Sequence, residues 1–177
     1  MSASIFSSSI TVSLPSPKKG TLLLEDVFQE RRSIRDYTNQ PLTLEEVSNL
    51  LWAGYGRNNY ARTVPSTGAL YPITIYAVVA NVENIKRGVY PYQPDSHILV
   101  MAHSGDVRNE LYKASLSQVW VREAPLVIVV CVSFSITTNY YGERGVWYIY
   151  GGRSYCAECI FTIYSFKFRD SFCRCFL

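Results

Sequence analysis

The sequence predicts an α+β domain, from three observations. Ile73–Val79 and Leu126–Val132 are near-continuous apolar runs that read as buried strands, the second of the kind covered on both faces. Residues 88–101 read as a β-hairpin with Pro94, Asp95 and Ser96 at the turn. Helical spacing occurs twice before the first strand and once between hairpin and last strand. The order is therefore helix, helix, strand, hairpin, helix, strand.

Each element has a local reason. Pro15, Pro17 and Gly20 punctuate an extended leader, residues 1–20, expected to wrap the surface. Helical spacing over residues 23–32 is carried by Leu23, Leu24, Val27 and Phe28. Thr43 caps a second helix, and Glu46 three residues on completes a capping box. Leu44, Val47, Leu50, Leu51 and Trp52 form its buried stripe, and Gly54 and Gly56 stop it. Residues 55–71 show no periodicity and lead into the first strand. His97 at the hairpin's exit, and His103 just beyond, lack a Cys, His or carboxylate at ligand spacing and read as surface histidines. Asp106 caps a third helix with Val107, Leu111 and Ala114 on its core face. Trp120 reads as a packing residue, and Cys131 as a small buried hydrophobe.

Composition excludes several classes. The chain of 177 residues, 48% hydrophobic, is long enough for one domain with a core. A net charge of +3 without a basic stripe gives no case for nucleic acid. No apolar run approaches the ~20 residues of a membrane span. Residues 1–14 are Ser-rich and lack a basic start before an apolar block, so no signal peptide is read and cytoplasm is expected. Dinucleotide-fold glycine, P-loop, Gly-x-Ser-x-Gly and His-Glu-x-x-His patterns do not occur.

Chemistry concentrates in two stretches. Glu30-Arg31-Arg32-Ser33-Ile34-Arg35-Asp36-Tyr37 places three guanidiniums and a hydroxyl within five residues, after a helical run. Arg forks match phosphate oxygens in pairs, and Ser adds a donor, so the cluster suits a mononucleotide phosphate held by side chains. A solvated basic face is the plainer reading of these eight residues taken alone. In the second stretch, Ser66, Thr67, Gly68 and Ala69 are small enough for backbone to approach a flat ligand, the alternative being an ordinary loop into a strand.

Together RRSIRDY, PLTLEEVSNLLWAGYG, PSTGALYPITIYAVV and DVRNELYKASLSQVWVREAPLVIVV resemble the FMN-dependent nitroreductase family over residues 14–150. The branch they resemble most is the SagB type, the azoline dehydrogenases of thiazole/oxazole peptide maturation and their relatives. PSTGALYP is the most branch-specific segment. The resemblance implies a nitroreductase-like α/β sandwich working as an intertwined homodimer, with FMN at the interface and a nicotinamide donor, NAD(P)H, or a peptide-heterocycle substrate. It implies that Arg31, Ser33 and Arg35, with Arg32 beside them, contact the FMN phosphate and ribityl chain. Pro65, Ser66, Thr67 and Gly68 would lie against the isoalloxazine ring from the partner subunit. The flavin carries the hydride chemistry, so no catalytic side chain is named.

Residues 21–150 would be the N-terminal part of that domain, and 151–177 a tail that departs from the family. Four of five cysteines (Cys156, Cys159, Cys173, Cys175) fall there. They read as a four-cysteine zinc site, as redox thiols, or as products of a reading-frame slip. Zinc suits the first pair's spacing but not the second's, which has one intervening residue. For the slip, degenerate codons from residue 151 read one base on permit Met-Glu-Val-Gly-His-Thr-Ala-Gln-Asn-Val-Tyr-Leu-Gln, close to the family's next helix. The expectation is a copy incomplete at its C-terminus, with weak or absent flavin binding. The alternatives are a non-catalytic nitroreductase-like partner or remnant, and a zinc-binding protein. Sequencing the gene across the Tyr150 codon is expected to reveal the slip, and an unbroken frame with no slip discards it.

Overall fold

The computed structural model describes residues 10–151, 167–168 and 171–172. Its sheet is built on β2 (Ile73–Val79), which pairs antiparallel along its whole length with β6 (Leu126–Val132), Ile73 opposite Val132 and Val79 opposite Leu126. On the other side of β2 runs β3 (Gly88–Gln93), with Val79 opposite Gly88. The chain turns back through β4 (Ile98–Val100), and the leader adds β1 (Thr11–Ser13) outside it. A two-residue β5 (His103–Ser104) also pairs with β3. The sheet order is β1-β4-β3-β2-β6, every pairing antiparallel. Among the described residues, two more short strands, Lys167–Phe168 and Ser171–Phe172, pair with each other.

Alternation along β2 separates two cores. Ile73, Ile75, Ala77 and Val79 join Tyr90, Tyr92, Leu99, Leu126 and Ile128 in a cluster completed by Val47, Leu50 and Leu51. Val78 points the other way, with Val127, Val121 and Ala124, and Tyr37, Leu111 and Trp120 pack against that second cluster. One sheet face thus carries α2 (Leu44–Tyr55), and the other α3 (Arg108–Ala114) and α4 (Val119–Glu123).

The capping box of α2 forms as the sequence dictates: Thr43 Oγ1 accepts the Glu46 N–H at 3.2 Å, and the Glu46 carboxylate accepts the Thr43 N–H at 2.8 Å. Several details differ from expectation. Trp52 and Leu44 are only half-buried, and α2 runs through Gly54 to end at Gly56, where a Cβ would strike Trp52. The first helix, α1 (Leu24–Glu30), stops short of Arg32 and buries no residue; Leu23, Leu24 and Phe28 face outward. In α3, Ala114 is exposed, while Leu111 and, just before the helix, Val107 pack against the second core cluster. Asp106 stands one residue before the N-cap position, and its carboxylate accepts the Arg108 N–H at 3.1 Å. Strand β6 is covered on both faces only over Leu126, Val127 and Ile128; toward its end Cys131 is exposed, because β6 lies on the sheet's margin.

Three helices were not anticipated: α4, α5 (Phe134–Tyr141) and α6 (Arg144–Gly151). Loss of the Thr43 Oγ1 bond to the Glu46 N–H in Thr43→Ala is expected to cost about 1 kcal/mol of stability, read by urea denaturation, whereas Leu50→Ala, in the core, costs about 2–5 kcal/mol.

Candidate functional site

Past Glu30 the chain leaves helical geometry at Arg31, whose φ and ψ are −59° and 120°. Residues 31–38 carry neither helix nor strand, and Arg31, Arg32, Ser33 and Arg35 are all exposed. The Arg35 guanidinium carbon stands 4.7 Å over the Trp120 ring, and Tyr37 packs into the second core cluster. The donor set fits a dianionic phosphate: three forked guanidiniums and one hydroxyl, displayed to solvent within five residues.

The second stretch is a strained loop. Thr67–Ala69 form one 3₁₀ turn in which Gly68 has φ +60°, and Ala69 and Tyr71 also have positive φ, 54° and 48°. Side-chain-bearing residues adopt this region at a cost of about 1–3 kcal/mol, and such strain concentrates at functional sites. Ser66 Oγ accepts the Tyr71 N–H at 2.8 Å, closing the turn. Pro65 is exposed, and Ser66 and Thr67 half-buried. At Gly68 the close approach is to protein: the Tyr141 hydroxyl of α5 occupies the space a Cβ would take.

Two anchors hold this loop. Arg62 reaches the Asp95 carboxylate with both terminal nitrogens, at 2.8 and 3.1 Å, while its guanidinium lies 5.7 and 5.9 Å from the Tyr55 and Tyr71 ring centroids. Arg57 adds a bond to Asp95 at 3.0 Å. The Arg62 hydrogen bond, with Arg57 beside it, holds the Asp95 carboxyl below its ordinary range. Tyr71 belongs to the first core cluster and Tyr37 to the second. The Arg segment and the loop are therefore tied to opposite faces of one sheet. Among the described residues they share no core cluster.

His97 is the residue sequence reasoning misplaced. Instead of lying at the surface it is half-buried at the hub of a polar cluster: Nδ1 is 2.8 Å from the Tyr92 hydroxyl, and Nε2 is 2.7 Å from Ser48 Oγ and 3.1 Å from the Pro15 carbonyl. Its φ of +52° was not readable from residue type. A Ser–His contact of this length suggests a nucleophile and base. Ser48, however, is fully buried and donates its proton to the Pro15 carbonyl, so no substrate reaches it. The cluster is structural, tying leader, α2 and hairpin together. His103 is exposed, as expected.

Among the described residues no three His, Cys, Asp or Glu side chains cluster for a metal, and no helix is long and apolar enough to cross a membrane. Cys156, Cys159, Cys173 and Cys175, the expected tail residues, lie outside the described residues.

With this geometry in view, the nitroreductase family profile matches residues 28–158, and the chain belongs to that family. Its members are flavin-dependent oxidoreductases that typically use FMN and are typically dimeric. A candidate nitroreductase of Methanocaldococcus jannaschii is 37% identical over 155 residues, 86% of this chain and 78% of that protein. The trifolitoxin operon protein TfxC of Rhizobium leguminosarum is 24% identical over 73% of this chain, which spans 42% of that protein. Among solved structures, a candidate nitroreductase from Anabaena variabilis superposes with TM-score 0.74 and 26% identity, covering 92% of this chain and 37% of that one. A second, from Ralstonia eutropha, gives 0.68 and 26% over 86% of this chain and 70% of that one. The Escherichia coli microcin synthetase McbBCD complex with truncated pro-MccB17 bound shares the fold, at TM-score 0.55 and 22% identity, with coverage of 85% and 62%.

Burial depresses the His97 pKa below the ordinary 6.5, with the Pro15 carbonyl opposing. The sign follows: above pH 6.5 both folded and unfolded chains hold His97 neutral. Below it the unfolded chain takes up a proton the folded chain resists, so stability falls as pH drops toward the depressed folded value. Denaturation between pH 5 and 7 is expected to show this slope, at most about 1.4 kcal/mol per pH unit, with His97→Asn removing it.

Proposed function

We propose that the chain is an FMN-binding oxidoreductase of the SagB-type branch, built as a homodimer in which each flavin is shared by two copies. The exposed donor cluster Arg31, Arg32, Ser33 and Arg35 carries this reading. Three guanidiniums and a hydroxyl within five residues match the paired oxygens of a phosphate dianion. The strained turn at Gly68, Ala69 and Tyr71 supports a second binding segment. Attachment of the two segments to opposite sheet faces favours assembly of the site from two copies.

FMN supplies the hydride chemistry when bound. The chain's own part is to neutralise the phosphate with Arg31, Arg32 and Arg35, to add the Ser33 hydroxyl, and to shelve the ring on Pro65, Ser66, Thr67 and Gly68 of the other subunit. NAD(P)H is the proposed donor where the reaction is a reduction. The names of two similar proteins, a trifolitoxin operon protein and a microcin synthetase with truncated pro-MccB17 bound, favour a peptide substrate, and the SagB-type reading makes it a peptide heterocycle. The slip proposed for residues 151–177 would remove further phosphate contacts, so the affinity of this chain for FMN is expected to be low.

Equilibrium titration of the full chain with FMN and with riboflavin tests the clamp. FMN is expected to bind more tightly, and Arg31→Ala or Arg35→Ala to weaken FMN about 10- to 100-fold, the loss of a charge-assisted hydrogen bond, while leaving riboflavin unchanged. Undiminished FMN affinity in both variants overturns the proposal.

A further inference from the structure

We infer that Trp120 is a positioning residue for Arg35, holding its guanidinium at the phosphate end of the flavin site; this rests on the phosphate reading above. The guanidinium carbon lies 4.7 Å over the indole ring, within reach of the ring's negative face. Trp120 packs against Val78, Val121, Ala124 and Val127, with Tyr37, two residues beyond Arg35, in the same cluster.

The seat is firm. Val121 beside Trp120 is buried, and Arg108 donates through Nη1 to the Ala124 carbonyl at 3.0 Å, fixing the end of α4. Arg108 is itself held by Asp106, to which its Nε and Nη2 donate at 2.9 and 2.7 Å.

A tryptophan here carries a cost that a plain hydrophobe would avoid. Its indole Nε1 is buried and has no hydrogen-bond partner among the described residues. Burying a donor without an acceptor is unfavourable, so Phe or Leu would fill this cluster with no such penalty. What the indole adds is its extended face, the strongest of the aromatic surfaces toward a cation. Arg35 itself is exposed and long, and would otherwise lose rotamer freedom on binding. Stacking before the ligand arrives lowers that ordering cost. The partnership suits Arg rather than Lys, because a planar guanidinium stacks on an aromatic face better than a strongly hydrated ammonium.

The experiment compares FMN with riboflavin binding in wild type, Trp120→Phe, Trp120→Met, Arg35→Ala and the Trp120→Met/Arg35→Ala double variant. Trp120→Met is expected to lose about two- to five-fold of the FMN preference, the worth of an exposed cation–π contact, with riboflavin affinity unchanged. Trp120→Phe, with a smaller ring face, is expected to fall between wild type and Trp120→Met, and the double variant is no weaker than Arg35→Ala. A Met variant with full preference, or additive losses in the double variant, overturns the inference. Should the Met variant not fold, NMR of the wild type decides: Arg35 side-chain protons over the ring are shifted upfield of their positions in a solvent-exposed arginine, and unshifted protons overturn it. Wild type without any preference for FMN removes the phosphate clamp itself. Preference that survives Trp120→Met removes only the role of Trp120.

Discussion

The alternation of side chains along β2 is the constraint on which the molecule depends. A strand paired on both sides must send successive residues to opposite faces, and here both faces are covered near Val78 and Val79. Everything attached to Ile75 and Ala77 belongs with α2, and everything attached to Val78 with α3 and α4. A one-residue slip of register would exchange the two sets. The seven aligned pairs with β6 hold it against slipping. The same alternation sets the Arg segment and the strained loop apart within one copy, so a ligand that uses both is most simply met by two copies.

Charge is distributed to match. The acidic groups nearest the arginines of the scaffold are already engaged: Asp95 by Arg57 and Arg62, and Asp106 by Arg108, whose hydrogen bond holds that carboxyl low. These pairs are partly open to solvent and contribute little stability individually. Their value is geometric, fixing the loop before Pro65 to the hairpin turn and α3 to the end of α4. Glu30 and Asp36 flank the Arg31–Arg35 cluster in sequence, and all five charged residues are exposed.

Much of this was legible in the chain. The bounds of β2 and β6 follow from apolar runs alone, and the cap of α2 from Thr43 and Glu46. The family was legible from four motifs taken together in order, since the Arg cluster or the Pro65–Gly68 loop alone reads equally as a solvated face or a plain loop. What was not legible depended on context. Cys131 sits in a buried-looking run but at the sheet's margin, and Ala114 ends a helix none of whose residues is fully buried. His97 was misplaced because its partners Pro15 and Ser48 are far away in sequence. Helix α5 was missed because Thr137 and Thr138, poor helix formers, bond back to the Phe134 carbonyl, a compensation invisible to propensity.

The short strand β1 has a practical consequence. Thr11, Val12 and Ser13 cover the outer side of β4, and Leu14 closes the first core beneath them. A version of the protein begun at α1, which looks harmless in sequence, would bare the backbone donors and acceptors of β4 to any other extended chain. Such an uncapped margin recruits strands from neighbouring molecules, so the leader acts as a guard against self-association.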